Sequence, residues 1–334
     1  MKKKRSAVIV LTALLAASAV FLPGCAIPSG EEPADAKPPA EGGTGDVLTV
    51  TREEIYRYAS DSGTVWEFAQ RFFSDTIVYK DKHGKFIFEP VDPALPLSDY
   101  DWNNLTELEG LHREVEYVKD GQTLSIKGID VSRYQKAIDW EKVAADGVAY
   151  AFIRLGYRGY DKGGLVMDEL YEENMKGALD SGVAAGVYFV TQAVSVEEAI
   201  EEADFVLDHI ENYDVTWPVV LDLEDPASSS ARTADLTREE RTDIAVAFCE
   251  TVREAGYTPM LYCNIRWYME ELDLTRLTEY DKWFAQYFNR PFFPYAFQMW
   301  QYTNNGRVDG ITGPVDLNIS FKDYGQEGEA GSGE

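Results

Sequence analysis

The sequence predicts an α/β protein. An irregular (β/α) TIM-like barrel with eight strands and about five helices spans residues 123–323, preceded by a small α+β region over residues 48–122. Three observations carry this reading. Strand-like and helix-like stretches alternate from residue 125 through the run at 258–264, the pattern of parallel strands joined by helical crossovers. Beyond that point the helices run out while three more strand-like runs follow. The region's length, about 200 residues, suits one barrel.

The elements follow in order. Strand 125–131 leads to a helix at 140–146, and strand 149–155 leads through a Gly-rich loop to a helix at 168–181. Strand 184–190 pairs with helix 196–213, strand 217–223 with helix 237–255, and strand 258–264 with a shorter, irregular helical stretch. Runs 282–287, 297–302 and 315–319 supply the last strands, with Pro291, Pro294, Gly306, Gly310 and Gly313 in the gaps. The continuous apolar run Val219-Val220-Leu221 is what a strand buried on both faces requires. In the first region, Thr51-Arg52-Glu53-Glu54 reads as a capping box, and 64–74 as a helix packing through Val65, Trp66, Phe68, Phe72 and Phe73. Runs 76–80 and 85–89 flank Asp81-Lys82-His83-Gly84 as a hairpin. This region shows no chemical motif, and its expected role is packing or spacing.

The termini read differently. Residues 1–24 have a basic start (Lys2, Lys3, Lys4, Arg5) and an apolar run over 7–21 that is short for a membrane span, the pattern of a secretory leader. Leu22-Pro23-Gly24-Cys25 resembles a bacterial lipobox, with Cys25 as the lipidated first residue of the mature chain. Residues 25–47, rich in Pro, Gly, Ala, Glu and Asp, read as a flexible linker, and 324–334 as a disordered tail. The expected protein is an extracytoplasmic monomer held to the bacterial cell membrane by lipid and facing the wall. The formal net charge of −27, four units lower without the leader's basic residues, argues against nucleic acid and against electrostatic adhesion to anionic surfaces. After Cys25 only Cys249 and Cys263 remain, read as small core residues. The only histidines are His83, His112 and His209, so neither a metal centre nor a cofactor is expected.

The most informative segment is Val219-Val220-Leu221-Asp222-Leu223-Glu224-Asp225-Pro226. Strand side chains alternate, so Asp222 and Glu224 point the same way, about 6.5 to 7 Å apart along the backbone. Pro226 ends the strand. Buried carboxylates are costly, and a pair at this spacing suits glycoside hydrolysis. The plainer alternative is an acidic strand end facing water. Barrel chemistry gathers at strand ends, where Asp130 and Asp316 also fall. Tyr188, Tyr262, Trp300, Gln301 and Tyr302 lie near other strand ends, where aromatic faces either stack on sugar rings or pack in the core.

Taken in order, a set of segments now resembles the glycoside hydrolase family 25 muramidases. They are Gly128-Ile129-Asp130-Val131-Ser132 with Gln135 and Ile138-Asp139-Trp140; Ala151-Phe152-Ile153-Arg154; Gly186-Val187-Tyr188-Phe189; Pro218 to Glu224; Gly256-Tyr257 with Leu261-Tyr262; Trp283-Phe284-Ala285-Gln286-Tyr287; Trp300-Gln301-Tyr302; and Val315-Asp316-Leu317-Asn318. The resemblance covers almost all of 123–323 and none of 48–122. It implies an irregular barrel that hydrolyses the β-1,4 bond between N-acetylmuramic acid and N-acetylglucosamine in peptidoglycan glycan strands. Glu224 is the candidate general acid. The resemblance implies that Asp222 orients the substrate's own 2-acetamido group, while Asp130 and Asp316 position the sugar or set the other acids' charge. Tyr188, Tyr262, Gln286, Trp300, Gln301 and Tyr302 are the expected substrate-binding residues. Lys136 stands where the family often has Gly, and Val190-Thr191-Gln192 where many members carry aromatics. Two alternatives stay open: a non-catalytic glycan-binding lipoprotein on the same barrel, and a metal-dependent hydrolase whose four acids hold a hard cation.

Overall fold

A computed structural model describes residues 75–108, 113–226 and 228–325. The expected leader, Cys25, the linker, the capping box at 51–54, the helix at 64–74 and most of the C-terminal tail lie outside the described residues.

In chain order the strands are β1 (Thr76–Lys80), β2 (Phe86–Pro90), β3 (Leu105–Glu107), β4 (Val115–Lys119), β5 (Gln122–Thr123), β6 (Ile126–Val131), β7 (Tyr150–Arg158), β8 (Leu165–Met167), β9 (Ala184–Val190), β10 (Val215–Asp222), β11 (Pro259–Asn264), β12 (Asp281–Ala285), β13 (Met299–Gly306) and β14 (Val315–Ser320). The α-helices are α1 (Trp140–Ala145), α2 (Tyr171–Asp180), α3 (Val196–Ile210) and α4 (Arg238–Glu254), and a short wide-pitch helical stretch, Trp267–Glu271, follows β11. Among the described residues, eight strands close a barrel in the order β6-β14-β13-β12-β11-β10-β9-β7, sealed by the β6–β7 pairing, with β8 folded back on β7 as a hairpin.

The helices form where the sequence caps them. The Ser195 side chain accepts from the Glu198 N–H at the start of α3, and Thr237 and Glu240 make a reciprocal capping box on α4. On α3, Ala199, Ala203, Val206 and Ile210 recur at helical spacing and are fully buried against the barrel.

The expected irregular barrel is observed, and its last strand departs from the parallel pattern. β14 runs antiparallel to both β13 and β6. A parallel return needs a crossover of a dozen or more residues, usually a helix. Here the chain turns back through residues 307–314, where Gly310 and Gly313 take φ of +95° and +102°. The start of β14 therefore lies at the barrel mouth formed by the ends of the parallel strands.

Inside, aromatics fill the barrel below this mouth. Tyr150 stacks on Trp217 at 3.7 Å between ring centroids, and Phe152 on Trp283 at 4.8 Å. Two glycines make the space. A Cβ on Gly128 would lie 2.1 Å from the Tyr150 ring, and one on Gly186 would lie 2.4 Å from the Phe152 ring.

Where the helices run out, the first region takes their place. The outward faces of β12–β14 and the segments beside them present Phe284, Phe297, Trp300 and Phe321. Tyr100 stacks on Phe321 at 4.2 Å, while Trp102 lies parallel to Phe297 at 6.0 Å and edge-on to Trp300 at 6.3 Å. The Tyr100 hydroxyl donates to the Phe297 carbonyl (2.9 Å), and the Arg113 guanidinium donates to the carbonyls of Tyr302 and Asn289. The described part of 48–122 is thus packed onto the barrel, as a cover for apolar strand faces that a helix would otherwise bury. The antiparallel hairpin β1–β2 sends Ile77 and Tyr79 into the same core. Cys249 and Cys263 are buried, unbridged core residues.

Candidate active site

Alternation along each strand decides which side chains reach the mouth. Tyr150 and Phe152 face inward on β7, so Arg154 does too; Val220 puts Asp222 inward on β10, Met260 puts Tyr262 inward on β11, and Met299 puts Gln301 inward on β13. Asp316 of β14 sits directly opposite Asp130 of β6 in the antiparallel register. Glu224 follows Asp222 by two residues, just past the end of β10.

A fixed hydrogen-bond network holds Asp130. Its Oδ2 accepts from Gln301 Nε2 (2.9 Å) and Asn318 Nδ2 (2.8 Å). Indole N–H groups only donate, so Trp283, bonded to Asn318 Oδ1 at 2.9 Å, forces the Asn318 amide to turn its NH₂ toward Asp130. Gln301 is oriented likewise, its Oε1 accepting from the hydroxyls of Tyr262 (2.8 Å) and Tyr287 (2.7 Å). Asp222 contrasts with this. It is 5% exposed, and its Oδ1 has no hydrogen-bond partner among the described residues. Leaving such an acceptor unmatched costs about 1–3 kcal/mol.

Burial and crowding push all four acids upward in pKa. For Asp130 burial leads, Asp316 and Glu224 add repulsion, and the amide donors oppose. For Asp222 burial leads, then the charges of Glu224 and Asp130, against Arg154. Glu224 reaches solvent but is closely surrounded; crowding, Asp316 and Asp225 raise it, and Arg154 again opposes. Burial brings Asp316 to about 6. Arg154 is itself engaged, its Nε donating to Asp168 at 2.7 Å. Four crowded acids beside a single engaged arginine cannot all ionise near neutrality, so the cluster keeps protons that dilute carboxyls would have lost. The arrangement supplies a proton donor next to carboxylates.

The crowding has a measurable cost. Asp316 titrates near the ordinary 3.9 when unfolded and at about 6 when folded. Its penalty is absent below pH 4, grows as pH rises through the folded value and is complete above it. Asp316→Asn should therefore stabilise the protein by about 1–3 kcal/mol at pH 8 and not at pH 4. Thermal melts at the two pH values check this; an equal shift at both would exclude the electrostatic cause.

Of the expected substrate-binding residues, Tyr188 is half-buried at the mouth, while Tyr262 and Gln301 belong to the network above. Gln286 is buried, and its Oε1 accepts from the Phe292 N–H at 2.7 Å, bracing the loop after β12. Trp300 and Tyr302 are placed otherwise. With Met299 and Gln301 inward, they face outward, fully buried against Arg113 and the first region. The geometry leaves both out of the cleft. Arg154, Asn318 and Tyr287 had not been singled out for the site. Arg154 and Asn318 were findable by parity, being polar residues two places from Phe152 and Asp316. Among the described residues, no group of three His, Cys, Asp or Glu side chains has the geometry of a metal site. Beyond Glu224 the mouth opens into a groove of about 620 Å³, whose lining includes Tyr262, Gln286 and Tyr287 together with Lys80, Asp81 and Lys82.

Comparisons place this chain in a family. The family model described as glycosyl hydrolases family 25 matches residues 129–311, more than half of the chain. The uncharacterized protein YegX of Escherichia coli (strain K12) is 30% identical over 205 residues, 58% of this chain and 69% of that one. Lysozyme M1 of Streptomyces globisporus is 25% identical over 205 residues, 59% of this chain and 68% of that one. Among solved structures, a family 25 glycosyl hydrolase from Bacillus anthracis aligns with a TM-score of 0.53 at 23% identity, over 67% of this chain and 98% of that one. The modular autolysin LytC of Streptococcus pneumoniae, solved also with a synthetic peptidoglycan ligand, aligns with a TM-score of 0.54 at 22% identity, over 73% of this chain and 56% of that one. The chain belongs to glycosyl hydrolase family 25.

Proposed function

We propose that this protein is a peptidoglycan hydrolase, specifically an N-acetylmuramidase that cleaves the β-1,4 bond between N-acetylmuramic acid and N-acetylglucosamine. Glu224 protonates the leaving oxygen. Asp222 accepts the N–H of the substrate's 2-acetamido group and so directs the acetamido oxygen at the anomeric carbon, the substrate-assisted variant of glycoside hydrolysis. Asp130 and Asp316 hold the sugar, and the repulsion of Asp316 helps to keep the proton on the acid. The observation that carries the reading is the free Oδ1 of Asp222, a buried acceptor at the end of β10 and two residues before Glu224. An acetamido N–H is the donor such a site lacks. Family membership and the lysozymes among the relatives support the same reading.

Digestion of purified peptidoglycan should give fragments ending in reducing N-acetylmuramic acid, identified by borohydride reduction and mass spectrometry. Reducing N-acetylglucosamine ends, or cleavage confined to the peptides, would overturn the bond assignment. The lipobox-like Leu22 to Cys25 further supports attachment through a lipid on Cys25, outside a bacterial cell membrane. Cys25→Ser should leave the chain unprocessed or release it, as membrane fractionation would reveal.

A further inference from the structure

The groove beyond Glu224 has a wall that the family match does not include. Lys80 ends β1 and Asp81 and Lys82 open the turn to β2, and the match begins only at residue 129. Resting on the function proposed above, we infer that this turn builds a leaving-group subsite, in which Lys80 and Lys82 pair with carboxylates of the peptide stems carried by the glycan.

Position comes first. Glu224 lines the groove, whereas Asp222, Asp130 and Asp316 do not. A general acid stands at the scissile oxygen, between the sugar being attacked and the sugar that leaves. If Asp222 handles the attacked sugar, space on the far side of Glu224 holds the leaving part of the strand. The same groove suits a sugar ring, since Tyr287 in its lining is 48% exposed while its hydroxyl is fixed to Gln301.

Charge comes second. Two of the groove's other charged groups, Asp225 and Arg266, already pair with each other. Asp225 accepts from Arg266 and from Trp267 Nε1, and Arg266 also pairs with Glu271 at 2.7 Å. The Asp81 Oδ1 is bonded within its own turn, accepting from the His83 and Lys85 N–H groups at 2.8 Å each. That bonding fixes the loop that presents the lysines. Neither lysine has an ion-pair partner among the described residues, and the Lys80 ammonium lies 5.0 Å from the Phe86 ring centroid. In a chain of net charge −27, two unmatched cations on a cleft wall select for an anion. On a peptidoglycan strand the anions project on peptide stems.

The test uses the full chain and two soluble substrates: glycan oligomers bearing stem peptides, and the same oligomers stripped of peptide by an amidase. Lys80→Gln with Lys82→Gln should reduce the preference for the peptide-bearing substrate, read as the ratio of KM values, by about fivefold. The reversal Lys80→Glu with Lys82→Glu should reduce it further, and 0.5 M salt should erase the wild-type preference. An unchanged ratio, or equal loss on both substrates, would overturn the subsite. Calorimetric binding of the peptide-bearing oligomer to Glu224→Gln, with and without the lysine changes, separates the two readings. Lysine-dependent binding without wild-type turnover supports the subsite and rejects the enzyme assignment; lysine-independent binding rejects the subsite whatever the turnover.

Discussion

Replacing Glu224 by Gln should lower turnover of peptidoglycan by about two to four orders of magnitude, the usual scale for loss of a general acid. Gln keeps the shape and a hydrogen-bond donor but has no proton to give the leaving oxygen. The side chain stands past the end of β10 and reaches solvent, so folding should be unaffected. The thermal melt should match the wild type or exceed it at neutral pH, since one member of a repelling cluster is gone. A pH profile distinguishes this role from a positioning one. Crowding, Asp316 and Asp225 raise Glu224 above the ordinary Glu range, so the wild type should stay active at pH values where a dilute Glu would have ionised and lose activity as pH climbs through the raised value. Asp316→Asn relieves one cause of the shift, so the alkaline limb should move to lower pH. A folded Glu224→Gln protein with near-normal kcat/KM on peptidoglycan would rule out the assigned acid.

Much of this was legible in the chain because barrel strands advertise themselves. Val219-Val220-Leu221 reads as a strand buried on both faces, and its two-residue period puts Asp222 and Glu224 on one side without saying whether that side is the barrel interior or water. The same period, applied to Trp300-Gln301-Tyr302, would have separated Gln301 from its aromatic neighbours. Sugar stacking and core packing make the same demand on an aromatic in sequence, and the burial of Trp300 and Tyr302 against Arg113 and Trp102 depends on contacts across nearly two hundred residues of sequence. The reversal of β14 was hidden for a related reason. A strand of Val315, Leu317 and Ile319 looks the same in either direction, and only the absence of a helix before it hinted at a turn. The wall supplied by Lys80 to Lys82 was invisible too. The hairpin itself was readable from Asp81-Lys82-His83-Gly84, but nothing local says that Ile77 and Tyr79 dock it beside the mouth.

Asp222→Asn should lower turnover nearly as far, by about two to three orders of magnitude. The substitution keeps an oxygen near the position of Oδ1, so it preserves an acceptor for the acetamido N–H while removing the charge that stabilises the oxazolinium formed as the acetamido oxygen attacks. The loss should therefore fall mainly on kcat, with KM little changed. Because Glu224 raises Asp222 by repulsion, the coupling works in both directions, and Asp222→Asn should also lower the Glu224 pKa and shift the alkaline limb of the profile downward. Stability should hold or improve, since a buried carboxylate with an unmatched oxygen is costly to keep charged. A thiazoline that mimics the cyclised acetamido group should inhibit the wild type strongly and Asp222→Asn weakly, because the mimic's bound cationic form needs the carboxylate. Equal inhibition of both would remove Asp222 from this role. Trapping a covalent glycosyl ester on Asp222 with a slow substrate would replace substrate assistance by direct nucleophilic attack, and the free Oδ1 would then be the nucleophile rather than the acceptor.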